Sequence, residues 1–115
     1  MVDNKLLAEY LGLKMKESTW NDKKFLIPED SDPFMDDDIP FWHPDKDWNQ
    51  IMMVVDKIEE EDFVNVIIKR RSCEITYPHK ADKYGRNLDS VHCYGATKIA
   101  AVRITCVGYI KIKLF

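Results

Sequence analysis

Residues 47–61 read DWNQIMMVVDKIEEE, and their apolar members Trp48, Ile51, Met52, Val55 and Ile58 fall at i, i+3, i+4, i+7 and i+10. That spacing lines one face of an α-helix, so the segment is an amphipathic helix that must dock on something. Asp47 stands ready to accept from the free amides of the first turn, and Gln50 three residues on makes a capping-box variant. At the other end Glu59, Glu60, Glu61 and Asp62 crowd the negative pole of the helix, which places its stop by Glu60 and a sharp turn after it.

Working outward, Phe63–Lys69 is β-branched, with Val64, Val66 and Ile68 on one face and Phe63, Asn65 and Ile67 on the other, and reads as a strand with both faces at least partly covered. Arg70, Arg71 and Ser72 make a hairpin connection to a second strand over Cys73–Tyr77, where Cys73, Ile75 and Tyr77 alternate with Glu74 and Thr76. Residues 78–90 are polar and basic, and Val91–Tyr94 is a short candidate third strand. Upstream, Asp3 or Asn4 caps a first helix striped by Leu6, Leu7, Tyr10 and Leu11, with Gly12 as its terminator. Residues 16–46 lose periodicity and gather four prolines and a run of acids, which reads as a long, partly mobile loop. Its Trp20, Phe25, Leu26, Ile27, Phe34, Phe41 and Trp42 are apolar enough to lie partly over the domain. The last segment, from Thr97, supports two readings. Val102, Ile104, Cys106, Ile110, Ile112 and Leu114 alternate as in a strand, while Thr97 is a good N-cap and Ile99, Val102, Cys106, Tyr109 and Ile110 share a helical face.

With 115 residues, 45% of them hydrophobic, the chain is sized for a single domain over 1–115 with one core. No secretory or membrane-spanning pattern is present, so a cytoplasmic location in a bacterial host is expected. Three cysteines without CxxC spacing read as reduced, with Cys106 in the core. Charge is uneven: residues 1–62 hold 17 acids and 7 bases, residues 63–115 hold 3 acids and 10 bases. Either a basic face meets an anion, or the halves neutralise each other across their own interface.

Signatures of chemistry are weak. Cys73, His79, His92 and Cys93 are metal-ligand types at spacings that match no zinc site. Adjacent His92 and Cys93 on a strand point to opposite faces, which separates imidazole from thiol. Asp36, Asp37 and Asp38 lack the calcium-loop spacing and its glycine, and the four isolated glycines form no phosphate loop. The expectation is a non-enzyme without metal or cofactor. Two binding surfaces stand out. Arg70, Arg71, Lys80, Lys83 and Arg86, with the amides near Thr97, are candidates to converge on an anion, a nucleotide or a nucleic acid. Trp20, Phe34, Phe41 and Trp42 are candidates for an interface with a host or phage protein or with a second copy, although Trp42 and Trp48 also suit the core.

The order LLAEYLGLKM, a loop, PFWHPDKDWNQIMMVVDKIE, FVNVIIKRRSCEITY and ATKIAAVRITCVGYIKI resembles the phage ABA-sandwich domain proteins, small phage and prophage proteins. The resemblance implies an α+β fold with a small antiparallel sheet of two to four strands packed between helices, an α-β-α sandwich. It tips the last segment to helix and leaves residues 112–115 open. It carries no catalytic residues, and suggests a non-catalytic phage or prophage accessory protein that binds a host protein or self-associates. The alternative is an anion, nucleotide or nucleic-acid binder of the counter-defence type using residues 69–86.

Overall fold

The computed structural model describes residues 2–20, 22–30, 41–79 and 88–114, with backbone alone for Val2 and Trp20. In chain order the elements are α1 (Val2–Tyr10), β1 (Met15–Trp20), β2 (Lys23–Pro28), α2 (Trp48–Glu59), β3 (Asn65–Ile68), β4 (Ser72–Pro78), β5 (Leu88–Tyr94) and α3 (Lys98–Leu114). The chain is thus α+β, with a two-stranded antiparallel sheet β1-β2 and a three-stranded one in the order β3-β4-β5.

Local chemistry explains most boundaries. Helix α1 ends in a Schellman motif: Gly12 sits at φ 78°, its N–H donates to Glu9 O, and Leu13 N donates to Ala8 O. Helix α1 already runs from Val2, so Asp3 and Asn4 lie inside it rather than capping it. Asp47 caps α2 as expected, accepting from Gln50 N. The Gln50 side chain reaches further back than a capping box, holding His43 N through Oε1 (2.7 Å) and donating to Phe41 O (2.6 Å). The helix ends at Glu59 with Glu60 as its cap, and Phe63 turns the chain at φ 63°. The β3–β4 connection is the tight turn read from Arg70, Arg71 and Ser72, closed by Lys69 N donating to Ser72 O.

Two expectations are corrected here. Residues 16–28 are not loop: β1 pairs with β2 from Met15↔Pro28 to Trp20↔Lys23, with Asp22 at φ 63° in the two-residue connection. Residues 31–40, the acidic stretch of the expected loop, lie outside the described residues. The second correction concerns β3, whose outward Asn65 and Ile67 are exposed rather than covered.

Helix α3 is a continuous helix to Leu114, opened by Thr97 Oγ1 accepting from Ala100 N (3.2 Å). One side packs on β4 and β5. There Thr105 hydroxyl reaches Cys73 O and Ala101 O, Tyr109 stands edge-on to Tyr77 at 5.5 Å, and Gly108 lets the backbone close on Val91, whose Cγ1 would be 3.2 Å from an added Cβ. Its other side packs against α1 and α2. The layers therefore run sheet, α3, then α1 with α2, and it is the helix rather than the sheet that has elements on both sides. A single core cluster joins Leu7, Leu26, Trp42, Ile51, Ile58, Ile75, Cys106 and Ile110, among others. Burying roughly this many large side chains is what offsets the chain entropy of so small a fold.

Candidate interaction surfaces

The opposite charges of the two halves meet first across their own seam. Asp3 of α1 lies 3.7 Å from Arg103 and 3.6 Å from Lys111 of α3. Glu61, just past α2, accepts from Tyr10 (2.7 Å) and Tyr109 (2.5 Å) and pairs with Lys113. Burial alone would raise the Glu61 pKa, yet the hydrogen bonds from Lys113, Tyr109 and Tyr10 together hold it below the ordinary value. Both tyrosines are pushed up, by burial and by that carboxylate. The cluster is a joint between helices: every polar group in it is engaged by another.

The sheet leaves a different kind of surface. Val66, Ile75 and Val91 form one inward cross-strand row, and Ile68, Cys73 and Cys93 another. On the outer side Ile67, Glu74 and His92 form one row, and Asn65, Thr76 and Ser90 the next. Among the described residues no helix or strand covers this side. Ile67 is 46% exposed, Leu88 51% and Tyr94 72%, so apolar groups stand in water where a monomer gains nothing from them. His92 stacks on Tyr94 with ring centroids 4.8 Å apart and approaches Glu74 at 3.9 Å. Ile67, Lys69, Ser72, Glu74 and His92 line a shallow depression of about 50 Å³.

The basic candidates separate into those that are described and those that are not. Arg70 and Arg71 are exposed at the β3–β4 turn, and Gly95 N donating to Arg71 O ties that turn to the start of α3, where Lys98 is exposed too. No carboxylate among the described residues pairs with Lys69, Arg70, Arg71 or Lys98. Lys80, Lys83 and Arg86 lie outside the described residues. Of the expected convergence, the described residues show Arg70, Arg71 and the Thr97–Lys98 end of α3.

The aromatic candidates separate as well. Trp42 is 5% exposed, and its indole N–H donates to Asn4 O at 2.6 Å, so it belongs to the core and not to an interface. Phe41 is exposed beside Phe25, at 5.2 Å. Phe34 and the Trp20 side chain lie outside the described residues. Trp48, a core candidate, is 40% exposed instead. Asn4, Lys24, Phe25, Phe41, Trp42 and His43 help to line a cavity of about 390 Å³, in which Asp45 is tied to Asn4 Nδ2 (3.0 Å).

For chemistry, His92 faces outward and Cys93 inward opposite Cys73, so the His92 imidazole does not reach that thiol. Among the described residues no three His, Cys, Asp or Glu side chains gather closely enough to hold a metal ion. No helix of the described residues is long and apolar enough to cross a membrane. The sequence signal for the outer sheet face was present, in that Ile67, His92 and Tyr94 all carry outward parity, but parity alone does not tell which face a helix covers. No family model, curated protein or solved structure matches the chain.

Proposed function

We propose that the chain is a non-catalytic accessory protein, of phage or prophage origin and acting in the bacterial cytoplasm, that works by protein–protein contact with a host protein or a second copy of itself. The observation that supports this is the outer face of β3-β4-β5, which no described element covers, with Ile67, Leu88 and Tyr94 exposed around His92. Apolar and aromatic groups of this kind anchor interfaces once water is excluded. The phage origin rests on the resemblance of the quoted segments, and the absence of enzymatic activity on the lack of a catalytic grouping in the sequence.

A second reading is favoured by one observation: Lys69, Arg70, Arg71 and Lys98 gather at one end of the sheet without described carboxylate partners. On that reading the ligand is an anion such as a nucleic-acid backbone. The two separate by salt. The protein-contact reading expects a partner complex that holds from 0.1 to 0.5 M salt, weakens on Ile67→Lys and ignores Arg71→Ala. Binding of an oligonucleotide that falls steeply over that range and is lost with Arg71→Ala overturns it in favour of the anion.

A further inference from the structure

The two edges of the larger sheet differ. The β3 edge is four residues long and is followed by Lys69, a charge that discourages pairing. The β5 edge is seven residues, Leu88-Asp89-Ser90-Val91-His92-Cys93-Tyr94, with no lysine, arginine, proline or glycine. Among the described residues nothing lies along its outer side. An edge of this length, whose one acid, Asp89, stands near its start beside His79, offers a row of unpaired backbone donors and acceptors to another strand.

We infer that β5 pairs antiparallel with β5 of a second copy about a two-fold axis at Val91, joining two three-stranded sheets into one of six strands. The inference rests on the protein-contact reading above and names the partner and the edge. Three observations select a second copy as the occupant. The strand is self-complementary in this register. Leu88 falls opposite Tyr94 of the partner copy and Ser90 opposite His92, all on the outer face, so both exposed apolar ends of the strand gain a neighbour. Charge is complementary too, because the Asp89 end of one strand comes alongside the sheet end of the other that carries Arg71 and Lys98. The pleat is preserved, since pairing on residue 91 keeps both inner faces on the same side and extends the surface that α3 covers. An edge of this length, roughly 23 Å long in a layer about 10 Å thick, buries on the order of 500 Å² in all. A stable complex needs about 1,200 Å², so the dimer is weak and concentration-dependent.

Sedimentation velocity on the full chain from about 10 μM to about 1 mM tests it, with Leu88→Lys, Tyr94→Glu and the double variant, each first checked for an unchanged melt. The inference expects a monomer–dimer equilibrium that weakens about tenfold or more with either single change. The double variant regains it, because the new lysine meets the new glutamate only across the two-fold. The two positions are some 20 Å apart within one strand, so the rescue is intermolecular. A dimer that neither substitution weakens, or that the double variant fails to restore, overturns β5 pairing while leaving contact between copies in place. A monomer throughout also overturns the inference, and the protein-contact reading then stands or falls on the salt and Ile67→Lys experiment.

Discussion

Helices α2 and α3 carry similar proportions of apolar residues, yet one announces itself in the sequence and the other does not. Helix α2 buries Ile51, Val54, Val55 and Ile58 on one side and shows Asp56, Lys57 and Glu59 on the other. Helix α3 buries Ala101, Val102, Thr105, Cys106, Val107, Tyr109 and Ile110, which wrap most of its circumference, because the sheet lies on one side and α1 and α2 on the other. An element covered over most of its circumference has little reason to keep a polar face, so the periodicity that identifies a surface helix fades. What its sequence retains is a β-branched, alternating pattern that suits a strand equally well. The lesson is that a central element is read from what surrounds it.

The harshest way to break the comparison is at the seat of α3 on the sheet. A Cβ at Gly95 would stand 2.5 Å from Ala101 N and 2.9 Å from its Cα, both backbone atoms of the helix. Gly95→Ala should therefore cost about 3 kcal/mol or more, read as a lowered urea midpoint, whereas an unchanged midpoint would detach the start of α3 from the β5 exit. Next in size is a pair within the helix. Ile110→Ala removes a fully buried side chain and should cost about 3 kcal/mol, while Ile112→Ala, exposed two residues on, should cost less than about 0.5 kcal/mol. A strand, with both residues on one face, would make the two alike.

How far the sequence led can be judged from particular residues. Asp47, Gly12 and the Arg70-Arg71 turn carry their own geometry, in a cap, a left-handed residue and a two-residue reversal, and each lies where it was read. The β1-β2 hairpin was missed because its connection lacks the Asn-Gly or Asp-Gly pair that marks such turns, and because Lys23 and Lys24 interrupt the apolar pattern of β2. Trp42, which suited both an interface and the core, lies in the core, where its indole meets the carbonyl of Asn4, 38 residues away. Of the basic cluster, Arg70 and Arg71 lie at the described turn, while Lys80, Lys83 and Arg86 lie outside the described residues.

A smaller effect sharpens the comparison from the joint between helices. Glu61 binds α1 through Tyr10 and α3 through Tyr109 and Lys113. Its pKa is depressed in the fold, so the stability it contributes is present above the ordinary glutamate value of 4.5 and is lost as pH falls through the lower folded value. Glu61→Gln should cost about 1–2 kcal/mol at neutral pH and flatten the acid limb of a stability–pH curve. An acid limb identical to that of the parent would show the carboxylate to be idle.

The smallest expected effect is chemical rather than energetic. Burial pushes the Cys73 thiol up to about 11 and raises Cys106 as well, while Cys93 on the edge strand is only half-buried. In native protein near neutral pH a thiol-reactive dye should label Cys93 alone, with Cys73 and Cys106 released by denaturant. Rapid labelling of Cys106 would place α3 at the surface.

The central claim is that α3 is a helix enclosed between the sheet and the other two helices, which leaves the outer sheet face bare among the described residues. Amide hydrogen exchange, resolved residue by residue with backbone chemical shifts, tests it most directly. The account predicts helical shifts over residues 98–114 with the slowest exchange in the molecule at 101–110, and amides on the free edge of β5 that exchange much faster in dilute protein. Extended-chain shifts in 98–114, or protection there no greater than along that free edge, would contradict it.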